Sequence, residues 1–154
     1  MKVGDLMTRD VITVTPDTPV KRVSELMLEN NVGGIPVVNA SGALIGIVTE
    51  EDLIIKDAKI HFPTYIKLLD AVIYLGSIRR YEDELRKALG ATAGDVMTPD
   101  PIFVSPDDDI EKAATLMLEK GISRLPVVEN GQLVGIITKR DIVRSLVLEE
   151  PDGA

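Results

Sequence analysis

The sequence predicts an α/β (α+β) fold: two pseudo-symmetric β-α-β-β-α units packed through their sheets, with a helical insertion between them. Three observations predict it. Residues 4–53 recur 90 positions further on, slipping to 89 after Ala40 and Ser41. Within each copy the apolar residues change from helical spacing to short β-branched runs. Hydrophobic residues make up 45% of the chain and charged residues 27%, a globular balance, and with 3% aromatics the core must be aliphatic.

The repeat is read directly. Gly4-Asp5-Leu6-Met7-Thr8 returns as Gly94-Asp95-Val96-Met97-Thr98, and Val14-Thr15-Pro16-Asp17 as Val104-Ser105-Pro106-Asp107. Leu26-Met27-Leu28-Glu29 returns unchanged at 116–119, Ile35-Pro36-Val37-Val38 becomes Leu125-Pro126-Val127-Val128, and GALIGIVTEED from Gly42 becomes GQLVGIITKRD from Gly131. Each copy starts with a short strand, Val11–Val14 or Ile102–Val104. A turn follows, with Thr18 or Asp108 as helix N-cap and Pro19 at the first helical position. Val20, Val23, Leu26 and Met27, and in the second copy Ile110, Ala113, Ala114 and Met117, put one helical face in the core. Asn31 and Gly121 suit the left-handed residue that ends a helix. The runs Ile35–Val38 and Leu44–Thr49, and Leu125–Val128 and Leu133–Thr138, read as paired strands around the turns Asn39–Gly42 and Glu129–Gly131. A second helix starts after each threonine.

Residues 54–92 match neither copy. They contain two helical patterns, Tyr65–Leu75 and Arg79–Leu89, with His61, Phe62 and all three tyrosines, and carry seven Lys/Arg against five Asp/Glu. This segment reads as a connector, and His61 beside Phe62 as a packing or surface residue. The predicted organisation is 1–56, first copy; 57–92, helical insertion; 93–149, second copy; 150–154, tail. A unit of about 50 residues buries too little surface to be stable alone.

Absence of cysteine excludes disulfides and thiolate metal sites, and one histidine leaves no Cys/His pair or histidine cluster for catalysis or a transition metal. A net charge of -8 and a pI near 4.7 oppose nucleic-acid binding. The charged start MKVGDLMTRD and the lack of any apolar run near the roughly 20 residues of a membrane span predict a soluble, cytoplasmic protein without membrane association.

Two constellations carry chemistry. Thr49-Glu50-Glu51-Asp52 and Thr138-Lys139-Arg140-Asp141 each sit where a strand enters a helix. They resemble capping boxes, which need no ligand. They also offer a hydroxyl and first-turn amides to an anion, and a carboxylate to a diol such as ribose. The strand entries Gly33-Gly34-Ile35-Pro36 and Ser123-Arg124-Leu125-Pro126 place backbone groups ahead of a proline, where they could read the edge of a heterocycle. Arg124, with a fixed fork of donors, suits phosphate. The run Asp107-Asp108-Asp109 suits a helix start by charge alone, which weighs against an enzyme built on a divalent ion there.

Taken together, the G-D-h-M-T, h-P-V-V and G-h-h-T-x-x-D motifs (h apolar) resemble a tandem pair of cystathionine β-synthase (CBS) domains, a Bateman module, over both copies. The resemblance implies two clefts, each taking base contacts from one copy and its Thr/Asp pair from the other. One cleft would join Met7, Ile12, Val32, Gly34, Ile35 and Pro36 to Thr138 and Asp141. The other would join Met97, Ile102, Ile122, Ser123, Leu125 and Pro126 to Thr49 and Asp52. Arg124, Lys139 and Arg140 would serve phosphates in either. It further implies AMP, ADP or ATP as ligand, with S-adenosylmethionine as the alternative, a homodimer, no catalytic cofactor, and a regulatory function exerted on an unidentified protein target. A structural dimerisation module is the competing reading. Glu50 and Glu51 stand where the second copy has Lys139 and Arg140, so the two sites are expected to be unequal toward phosphate.

Overall fold

The computed structural model describes residues 1–54 and 91–153, with side chains described as far as 148. The predicted insertion helices, His61, Phe62 and the tyrosines lie outside the described residues. The described chain is mixed α and β. In order it runs α1 (Val3–Leu6), α2 (Val20–Asn30), β1 (Gly34–Val38), β2 (Leu44–Thr49), a helical stretch over 50–54, α3 (Ala93–Val96), β3 (Thr98–Pro99), α4 (Ile110–Lys120), β4 (Arg124–Glu129), β5 (Gln132–Thr138) and α5 (Lys139–Gly153). Strands β1, β2 and β3 form one sheet in that order, and β4 and β5 form a second.

The chain divides into two compact units, residues 1–13, 38–45 and 99–154, and residues 14–37 and 46–98. In the first, β4 and β5 pair antiparallel from Arg124 opposite Thr138 to Glu129 opposite Gln132, with a bulge between Val127 and Val128. Asn130 and Gly131 close the hairpin at φ 51° and 76°, the two successive positive φ values of a type I′ turn. Leu125 and Ile137, directly opposed, are fully buried with Val104, Ile110, Ala113, Met117 and Val127.

The same core contains Val3, Leu6 and Met7, from the opening segment of the first copy. That segment is held by its backbone. The Val3 and Gly4 amides donate to the Asp108 and Pro106 carbonyls at 2.8 and 2.9 Å, and Thr8 and Ile136 exchange both backbone hydrogen bonds at 2.9 and 3.0 Å. Gly135 permits the approach. A Cβ there would lie 2.6 Å from Met7 Sδ and 2.9 Å from the Thr8 carbonyl oxygen. Because that carbonyl is fixed by the Ile136 amide, Gly135→Ala is expected to destabilise this unit by about 1–3 kcal/mol in urea denaturation.

The other unit repeats this construction with the opening segment of the second copy. The Ala93 and Gly94 amides donate to the Thr18 and Pro16 carbonyls at 2.8 and 2.9 Å, and Met97 lies against Gly46. Val23 and Met27 of α2 are buried, as are Ile35, Val37, Ile47 and Val48.

Several local expectations hold. Helices α2 and α4 end on left-handed Asn31 (φ 52°) and Gly121 (φ 63°), and the four longer strands fall within a residue or so of their predicted limits. Two expectations need correction. The segments 11–14 and 102–104 are not ladder strands, since each makes only one parallel bridge, Val14 to Val37 and Val104 to Val127. The N-caps are Pro19 and Asp109, one residue later than expected, and neither caps with its side chain. The Thr18 hydroxyl and the Asp108 carboxylate instead accept from the Thr15 and Ser105 amides at 3.1 and 2.8 Å, closing the preceding turn. The first helical amides, of Val20 and Ile110, donate to the carbonyls of Ala91 and Met1 at 2.9 and 3.3 Å. The docked opening segments thus supply acceptors that a capping side chain would otherwise provide.

Candidate functional site

Both Thr-x-x-Asp motifs lie where the last strand of a copy turns into a helix. Asp141 Oδ2 accepts from the Thr138 amide at 2.9 Å and the Thr138 hydroxyl at 3.1 Å, and the Thr138 hydroxyl oxygen accepts from the Asp141 amide at 3.3 Å. Thr49 and Asp52 repeat this at 2.9, 3.0 and 3.3 Å. Each motif is therefore a complete capping box, with one carboxylate oxygen, Oδ2, turned into the helix start.

The second oxygen differs between copies. Asp141 Oδ1 accepts from Arg144 Nη2 at 3.0 Å; the aspartate is 3% exposed, whereas the arginine side chain is 57% exposed. Asp52, half-buried, has its Oδ1 on the Thr98 hydroxyl at 3.3 Å. The sequence reading missed both Arg144 and Thr98 as partners. Arg144 follows Asp141 by three helical positions, a spacing that brings side chains together, so it was open to detection. Thr98 is 46 residues from Asp52, and nothing local joins them.

The strand entries close beside the same motifs. Arg124 is the direct ladder partner of Thr138, so both side chains stand on one face of the hairpin. The Lys139 amide donates to the Ser123 carbonyl at 2.9 Å, and the Glu50 amide to the Gly33 carbonyl at 3.0 Å. Each of these carbonyls thus receives one hydrogen bond from the residue that opens the following helix. Ile35, Pro36, Leu125 and Pro126 are completely buried, Gly34 and Met7 are buried, Ile12, Met97, Ile122 and Ser123 are half-buried, and Val32 and Ile102 are exposed.

Charge separates the two motifs further. Half-buried Arg124 and exposed Lys139 and Arg140 make no ion pair among the described residues, and the first copy has Gly34, Glu50 and Glu51 at these positions. In the aspartate run, Asp109 pairs with Lys2 at 2.7 Å, which lowers its pKa and raises that of the lysine. The Asp108 carboxyl is held below the ordinary carboxylate range, first by the Ser105 amide and then, against the cost of burial, by Lys112 at 3.2 Å. Both carboxylates are thus engaged in the fold around the start of α4. Among the described residues no group of three or more His, Cys, Asp or Glu is placed to hold a metal ion, and no helix is long and apolar enough to cross a membrane.

The CBS domain family matches residues 3–59 and 93–148. The chain belongs to the CBS domain family. This CBS pair is 32% identical over 155 residues to the uncharacterized protein MJ1426 of Methanocaldococcus jannaschii, covering 96% of this chain and 92% of that protein. It is 36% identical over 165 residues to the chloroplastic CBS domain-containing protein CBSX1 of Arabidopsis thaliana, covering 98% of this chain and 66% of that one. The crystal structure of CBSX2 in complex with AMP matches the CBS pair with a TM-score of 0.77 at 32% identity, over 97% of this chain and 98% of the other.

Proposed function

We propose that this CBS pair is a regulatory module of the cytoplasm that binds an adenine nucleotide and performs no catalysis of its own. The observation that carries this reading is the duplicated Thr-x-x-Asp motif, in which a hydroxyl, first-turn amides and a carboxylate converge at a helix start. These are the donors and acceptor that a ribose phosphate requires. The similarity to CBSX2, crystallised with AMP, supports the choice of ligand. AMP, ADP and ATP are the candidates, with S-adenosylmethionine as the less charged alternative.

In this reading Thr49, Asp52, Thr138 and Asp141 hold the ribose and phosphate, and Arg124, Lys139 and Arg140 add positive charge beside Thr138 alone. The Thr138/Asp141 site then prefers phosphorylated ligands, and the Thr49/Asp52 site, flanked by Glu50 and Glu51, binds them more weakly. Binding biases the conformation or the association of two copies by its differential affinity for the alternatives, and a separate protein reads the change. The complete capping boxes also suit a purely structural dimerisation module, so the test must separate stability from ligand response.

Thermal melts against AMP, ADP, ATP, S-adenosylmethionine, adenosine and GTP supply that test. A ligand at 100 times its dissociation constant adds about 2.7 kcal/mol. A rise confined to adenine compounds, strongest with the phosphorylated ones, is expected. Flat melts of ligand-free protein across the panel would leave the structural module as the reading. Two equal AMP sites in a titration would refute the inequality.

A further inference from the structure

Resting on the ribose-binding reading, we propose that Arg144 is a built-in competitor for Asp141, and that a vicinal diol binds this site only by displacing it. A carboxylate offers about four acceptor positions. On Asp141 the two of Oδ2 are filled by the Thr138 amide and hydroxyl, and one of Oδ1 is filled by Arg144. One position is left. A ligand donating a single hydroxyl fits beside Arg144, whereas a cis-diol donating two does not.

The two partners are unequal in freedom. Asp141 is buried and pinned by its capping box, while the Arg144 side chain is more than half exposed and can leave at small cost. The exchange therefore moves the arginine and not the carboxylate. The first copy lacks this device. Ile55 stands at the position equivalent to Arg144, and Asp52 Oδ1 meets the neutral Thr98 hydroxyl at a longer 3.3 Å. Both bonds end on a carboxylate, but Arg144 adds the attraction of a full positive charge that the Thr98 hydroxyl lacks, so the diol meets more competition at Asp141 than at Asp52.

The test is titration of the full chain with AMP and with 2′-deoxy-AMP, following the amide signals of Thr138 and Lys139 so that the second-copy site is read by itself. Arg144→Met keeps the apolar stem and the helix but removes the guanidinium. AMP is expected to bind the variant about fivefold more tightly, the scale of a half-exposed ion pair, with 2′-deoxy-AMP unchanged. Arg144→Lys, a point charge without the planar fork, is expected to give a smaller gain for AMP and guards against loss of folding in the first variant. An AMP affinity that stays level or falls in both variants overturns the proposal, as does an equal gain for both nucleotides. If neither nucleotide moves these signals in the parent protein, the ribose-binding reading fails and the proposal with it.

Discussion

Asp141→Ala is expected to abolish the AMP-induced stabilisation contributed by the second-copy site and to lower the stability of the ligand-free protein by about 2 kcal/mol. The stability loss follows from the capping box. Alanine leaves the Thr138 amide and hydroxyl without their acceptor at a part-buried helix start, and an unmet buried donor costs about 1–3 kcal/mol. Arg144, being more than half exposed, turns to water and adds little. The ligand loss follows from a different property of the same carboxylate, the acceptor capacity of Oδ1. Thermal melts of Asp141→Ala and Asp141→Asn with and without AMP separate the two roles. Asparagine keeps one oxygen for the Thr138 amide, so it is expected to recover most of the stability and little of the ligand response. A variant that melts early yet keeps its full AMP shift would show the aspartate to be a cap only.

A fragment of residues 99–154 is expected to be unfolded alone and to fold when a peptide of residues 1–13 is added. The fragment holds the second-copy strands and helices but lacks Val3, Leu6 and Met7, which fill the same core as Leu125, Val127 and Ile137. It also loses the acceptor that Thr8 offers to the Ile136 amide and the Met1 carbonyl that receives the Ile110 amide. Truncating a buried leucine to alanine costs about 2–5 kcal/mol, and here three buried side chains are removed from a unit of marginal size. In the full chain, Leu6→Ala alone is expected to cost about 2–5 kcal/mol. Circular dichroism of the fragment through a peptide titration checks the prediction, and a cooperatively folded fragment without peptide would refute it.

The residues that were legible in advance obey short-range rules. Asn31 and Gly121 end their helices because the left-handed region is open to those residue types. The Asn130-Gly131 pair turns the hairpin because both positions need positive φ. The pairing of the runs 125–128 and 133–138 follows from two apolar, β-branched-rich segments on either side of a turn, and Thr138 with Asp141 follows from an i, i+3 spacing at a helix start. The duplication made each of these readings twice, which is why the fold class could be stated from one chain.

What was not legible depends on contacts between residues distant in the chain. The motifs GDLMT and GDVMT differ at one position, so nothing local tells either which core it should fill. The structure puts each into the core of the other copy, where the Gly4 and Gly94 amides reach the Pro106 and Pro16 carbonyls at 2.9 Å. That docking also moved the helix caps, because the carbonyls of Met1 and Ala91 took the amides that Asp108 and Thr18 were expected to cap. The partners of the two aspartates belong to the same class: Thr98 reaches Asp52 only after its segment docks. Local chemistry was therefore enough to specify the four longer strands, the C-terminal ends of α2 and α4 and the Thr-x-x-Asp motifs. The occupants of each core and the groups on the free carboxylate oxygens were settled in the folded molecule, because burial and hydrogen-bond satisfaction are properties of the assembled chain.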